Sequence, residues 1–197
     1  MNRRKFLTQA GLGSLALASL PALTTPALAG HRQTHFRFVS NSHAAILDGV
    51  AHLFLMNGDG TVTPSEVEGG GSYAHIDNAT AIPKTIFASG TWETKRLLNF
   101  NLLGTYGVLA AGLVEMEIRL VQLIPSRKVI PATLMVVCNL GPAGLATPGK
   151  EEGFYLTIPG TPFVEGGAGG PFEPFDPPSG LSIFTTSEKE EDDDSAG

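Results

Sequence analysis

The stretch Val114-Glu115-Met116-Glu117-Ile118-Arg119-Leu120 alternates apolar and charged side chains at every step. Successive side chains of a β-strand point to opposite faces, so this period of two predicts a half-buried strand with its charged face in water. Upstream, residues 91–100 repeat the pattern. Trp92, Thr94, Arg96, Leu98 and Phe100 would share one face, and Glu93, Lys95, Leu97 and Asn99 the other. Downstream, residues 132–138 are nearly all apolar, as in a strand covered on both faces. Shorter strands are predicted at residues 35–39, 50–56, 72–76, 84–88 and 154–158, while helical periodicity is almost absent.

The connections carry turn chemistry. Asn57-Gly58-Asp59-Gly60 is expected to form a tight hairpin turn, with Thr61-Val62-Thr63 beginning the return strand. Gly69-Gly70-Gly71 implies a bulge, a corner or a close approach of backbones. Gly104-Thr105-Tyr106-Gly107 reads as a connection, and Gly107 and Gly112 bracket residues 108–111 too tightly for a stable helix. Many short strands joined by glycine-rich turns predict an all-β fold, a single antiparallel β-barrel over residues 30–160, with a β-sandwich as the alternative. Past Pro159 the composition changes. Residues 161–187 are rich in Gly and Pro but carry Phe163, Phe172, Phe175 and Phe184, and are expected to form an extended arm. Residues 188–197 form an acidic tail expected to be disordered.

The N-terminus, Met1-Asn2-Arg3-Arg4-Lys5-Phe6-Leu7, precedes a Gly/Ala/Leu/Ser-rich run and Ala27-Leu28-Ala29. A basic start, an apolar middle and a small-x-small end describe an export signal. The arrangement resembles a twin-arginine (Tat) signal, with Asn2 in place of the usual Ser/Thr and Thr8 in place of Lys. That resemblance implies residues 1–29 as a signal peptide and a periplasmic or extracellular destination for an already folded protein. The apolar run is too broken by Gly, Ser and Pro for a spanning helix, so no stable membrane insertion is expected. The chain carries a net charge of −6. Loss of Arg3, Arg4 and Lys5 would make the mature form more acidic, which argues against nucleic-acid partners. Its single cysteine, Cys138, excludes an internal disulfide.

Several groups are candidates for chemistry. Residues 55–66 resemble an EF-hand loop, with Asn57, Asp59 and Glu66 as ligands, but Leu55 stands where the first Asp belongs. A hairpin turn is the competing reading. His75 and Asp77 lie two apart, so a strand would put them on one face as metal ligands or as a base with its orienting carboxylate. A metal would need further ligands from other strands; His43 or His52 could contribute, though nothing in the sequence requires either. Cys138 closes the most apolar strand and reads as a buried structural thiol, or as a nucleophile if His75 approaches it. No histidine or methionine follows it closely enough for a blue-copper centre. Glu115 and Glu117 share a face that fits an ordinary wet exterior. Phosphate-binding, dinucleotide and Gly-x-Ser-x-Gly motifs are absent from the sequence, and it requires no cofactor.

The segments Val67-Glu68-Gly69-Gly70-Gly71-Ser72-Tyr73-Ala74-His75, Gly90-Thr91-Trp92 with Lys95, Gly104-Thr105-Tyr106-Gly107 through Glu115-Met116, and Cys138-Asn139-Leu140-Gly141-Pro142-Ala143-Gly144 are similar to an uncharacterised group of Tat-exported bacterial proteins. That likeness implies one domain and no particular activity. The first expectation is an exported binding protein for a small ligand or a protein partner. The alternatives are a metal-dependent cell-envelope enzyme using His75 and Asp77, and an assembly protein whose aromatic arm joins neighbours in a homo-oligomer.

Overall fold

A computed structural model describes residues 33–78 and 83–187. The expected signal peptide (1–29) and acidic tail (188–197) lie outside the described residues. The described chain is all-β, its one helical turn among these residues being a 3-10 turn at Gly141–Ala143. The strands are β1 (Gln33–Leu47), β2 (Val50–Val62), β3 (Val67–Asp77), β4 (Ile86–Tyr106), β5 (Leu109–Ile124), β6 (Lys128–Cys138), β7 (Gly153–Thr157), β8 (Glu173–Pro174) and β9 (Gly180–Ser187). Pairing runs β1–β2–β3–β4–β5–β9 and back to β1, a ring of six antiparallel strands. β6 and β7 extend from β5, and β8 pairs with β1.

The alternating stretch is the centre of this sheet. β5 pairs with β4 along its length, with β9 at Leu109 and Ala110, and with β6 from Gly112 onward. Val114, Met116, Ile118 and Leu120 are buried in the core. Glu117 and Arg119 point outward and meet Arg96 and Glu93 of β4 in cross-strand ion pairs. Such exposed pairs are screened by solvent and contribute little stability.

Three sequence expectations give way. First, Asn57-Gly58-Asp59-Gly60 is not a turn: β2 runs straight through it. The hairpin closes earlier, at Asp48-Gly49, where both residues have positive φ (50° and 77°) and two residues join Leu47 to Val50. The glycines of β2 and β3 serve space instead. A Cβ on Gly58 would lie 2.9 Å from Trp92 Cε2, and one on Gly60 2.7 Å from Phe36 Cζ. Second, the single inward face expected for residues 91–100 is broken by register shifts between Thr94 and Arg96 and between Leu97 and Asn99. These bulges turn Leu97 toward the core and leave Leu98 41% exposed. Third, the segment 161–187 does not end as an arm. Its last part is β9, which sits between β1 and β5 and closes the ring.

The interior is filled with large side chains. Phe36, Phe38, Phe54, Trp92, Phe154 and Phe184 are almost wholly buried. Phe38 packs against Trp92 and Phe154 with centroids 6.0 and 5.9 Å away. The Trp92 indole N–H donates to the Asn57 carbonyl at 2.9 Å, fixing the ring over the glycine window.

Candidate functional site

The β2–β3 register decides which polar groups meet. Phe54 lies opposite His75 and His52 opposite Asp77. Side chains alternate along each strand, so His52, His75 and Asp77 share the inward face beside the Asp48-Gly49 turn. His52 Nδ1 and His75 Nε2 are 2.9 Å apart, one ring donating to the other as its tautomer dictates. The expected pairing of His75 with Asp77 is therefore modified. The charge of Asp77 acts on His52, and the nearest partner of His75 is His52.

Aromatic rings enclose the pair. Phe54 stacks on His75 at 5.5 Å, and Phe87 of β4 lies 5.3 Å from His52 and 5.1 Å from His75. Phe163 approaches the two histidines at 4.9 and 5.4 Å, and Phe172 packs on His75 at 5.4 Å. Phe163 and Phe172 belong to the segment after β7. Leu156 and Phe172 exchange two backbone hydrogen bonds of 2.9 Å, and the Ile158 N–H donates to the Phe163 carbonyl at 2.9 Å. The aromatic residues that suggested an external arm thus cover the histidines of their own chain.

This enclosure sets the electrostatics. Burial, then the neighbouring His52, holds the His75 imidazole down to about 4. Burial also lowers His52, against the opposing pull of Asp77 and Asp48. Both rings are neutral near pH 7, with lone pairs available to accept a proton or bind a cation. Tyr73, two residues before His75, stacks on Phe54 at 5.2 Å. Its buried hydroxyl has no hydrogen-bond partner among the described residues, and burial pushes the phenol up to about 12.

The other candidates are dispersed. Asn57 and Asp59 lie on the extended β2, whereas Glu66 follows the turn that ends the strand. At roughly 3.3 Å per residue, Asn57 and Glu66 are about 15 Å or more apart, too far to share one calcium ion. Cys138 is buried, its thiol donating to the Ser182 carbonyl at 3.3 Å, and burial raises its proton affinity. It lies on β6, away from the histidine strands, and is a poor nucleophile in that setting. His43 stacks on Phe175 at 4.4 Å on the opposite face of β1 from the core residues, so it does not join the pair. Among the described residues, no group of three His, Cys, Asp or Glu is already gathered to hold a metal.

A second feature lies outside the ring. Val39 and Leu181 are directly opposite one another on β1 and β9, and are 63% and 56% exposed. Ile183 and Leu109 continue this apolar stripe toward Val108 and Tyr106 at the β4–β5 turn. Ile183 forms a wall common to two hollows. One, of about 360 Å³, is lined by His35, Arg37, Asp59 and Thr185 among others. The other, of about 270 Å³, is almost entirely apolar and is lined by Leu109, Leu140, Leu181 and Phe184 around Cys138 and Glu152. It occupies the fork where β5 leaves β9 for β6. There, side chains replace the missing ladder: Glu152 accepts from the Ser182 N–H at 3.0 Å while Cys138 caps its carbonyl.

No protein-family model, curated protein or solved structure matches the chain. Among the described residues, no helix is long and apolar enough to cross a membrane.

Proposed function

We propose that this chain is an exported β-barrel protein that binds a protein partner through the outer face of β1, β9 and the start of β5. We read the six-stranded ring as a small closed barrel, and residues 1–29 as a Tat signal directing it to the periplasm or beyond. The observation that carries the reading is the contrast between inside and outside. The interior is occupied by buried aromatic side chains, whereas Val39, Leu181, Ile183 and Leu109 form an exposed apolar stripe. A contiguous apolar surface with a polar margin, here His35, Arg37, Asp59 and Glu152, is typical of protein-binding sites. A filled interior favours a partner protein over an enclosed small ligand.

The test places a photo-crosslinking residue at Leu181 or Ile183 of the full chain in its natural host. A discrete crosslinked partner at these positions, and none from the outward-facing Lys95, supports the reading. Crosslinks only to a second copy would transfer the stripe to self-assembly. No crosslink at either position would overturn partner binding through this face. Export is tested separately: replacing Arg3 and Arg4 by Lys should retain the protein in the cytoplasm, and unchanged export would remove the Tat assignment.

A further inference from the structure

The histidine pair lies on the inward face of β2 and β3, apart from the outer stripe of β1 and β9, and its geometry suits another task. Two imidazole nitrogens from adjacent strands converge to 2.9 Å. A tetrahedral zinc ion bonded to two imidazoles at about 2.0–2.1 Å holds their nitrogens about 3.3 Å apart. Opening the pair by about 0.4 Å would therefore admit an ion. The carboxylates of Asp77 and Asp48 act on His52 and partly offset the cost that burial sets on positive charge there. The rings of Phe54, Phe87, Phe163 and Phe172 provide a dry wall that restrains both imidazoles.

We propose that His52 Nδ1 and His75 Nε2 together bind one divalent transition-metal ion of the imidazole-preferring kind, Zn²⁺ or Cu²⁺. Asp77, on the same face of β3, supplies compensating negative charge. Two protein nitrogens leave the remaining coordination positions to solvent on the half-exposed His52 side, away from the phenylalanine wall. The proton now shared between the rings moves to the far nitrogen of the ring that carries it, His52 Nε2 or His75 Nδ1. The neutral pair therefore takes up the ion without net proton release. Imidazole ligands select Zn²⁺ and Cu²⁺ over Mg²⁺ and Ca²⁺, which prefer oxygen.

The experiment titrates chelator-treated full-length protein with Cu²⁺, followed by electron paramagnetic resonance, and with Zn²⁺, followed by calorimetry. The expected result is one saturable site per chain, with nitrogen hyperfine structure from two imidazoles in the copper spectrum. His52→Phe and His75→Phe preserve the aromatic enclosure and should each weaken binding by about 100-fold or more, while Asp77→Asn weakens it by about tenfold. Cys138→Ser should leave it unchanged. Unaltered affinity in both histidine variants would overturn the proposal, as would the absence of a saturable site in the unmodified chain. If a variant fails to fold by circular dichroism, the wild-type copper spectrum still decides: fewer than two coordinated imidazoles refutes the site.

Discussion

Acidification from pH 7 to pH 5 in the presence of a chelator should destabilise the fold through His75. Its imidazole has an ordinary value of 6.5 when the chain is unfolded and about 4 when folded. Between these values the unfolded state binds more protons, so stability rises with pH across that window and falls as pH drops through it. Below the folded value the full penalty is present; above 6.5 it has vanished. At pH 5 the unfolded imidazole is largely protonated and the folded one largely neutral. The linkage relation then gives a loss of about 2 kcal/mol between pH 7 and pH 5. The lowered proton affinity of His52 adds to the loss with the same sign. Urea unfolding at the two pH values, followed by the fluorescence of the single, buried Trp92, measures it. His75→Phe keeps the aromatic packing and removes the titrating group, so its pH dependence over this window should shrink by about the same amount. Equal pH dependence in the variant and the wild type would refute the argument.

Three further outcomes are expected from the packing. Gly71→Ala should cost about 2 kcal/mol or more in urea unfolding, because the added Cβ would lie 2.7 Å from both Trp92 Nε1 and Gly58 Cα. Trp92→Phe should cost about 2 kcal/mol, through lost volume and the lost bond to the Asn57 carbonyl, with far-ultraviolet circular dichroism unchanged. Ending the chain at Pro178 removes β9 and exposes the facing edges of β1 and β5; it should abolish the cooperative unfolding transition seen by calorimetry.

The strand-rich character was legible because β5 writes its two faces into the sequence without interruption. The ring was harder to read. Asn57-Gly58-Asp59-Gly60 carries stronger turn chemistry than Asp48-Gly49, yet the chain turns at the weaker signal. Glycine permits a turn, but it also makes room, and only the placement of Trp92 and Phe36 distinguishes the two uses. The bulges of β4 likewise depend on how it matches β5, which no local period reveals. β9 was hidden by the proline and glycine around it and by the absence of alternation in Leu181-Ser182-Ile183-Phe184, where apolar Leu181 and Ile183 face outward while Ser182 and Phe184 are buried. At the candidate site, the shared face of His75 and Asp77 followed from their spacing alone. The partner did not. The β2–β3 turn at residues 63–66, which pairs Val62 with Val67, sets the register that carries His52 to His75, and Phe163 and Phe172 arrive from far along the chain.

The glycine window also bears on where function can reside. Closing a sheet with few strands leaves little internal width, and about eight are needed before an interior can hold more than its own side chains. This ring has six, and even its own aromatics fit only because Gly58, Gly60, Gly69 and Gly71 surrender their side-chain volume to Trp92 and Phe36. Any substitution that enlarged the central space would first cost core packing, since the rings that fill it belong to a continuous cluster from Phe36 to Phe184. The two proposed sites accordingly lie where the ladder of the ring is interrupted or ends. One is the fork between β6 and β9, where Glu152 and Cys138 stand in for a missing strand beneath the apolar stripe. The other is the end of the β2–β3 pair, where two imidazoles meet under a cover of phenylalanines. Both arise from the same cause: β9 completes the ring, and the segment leading to it must cross the histidine end before it can do so.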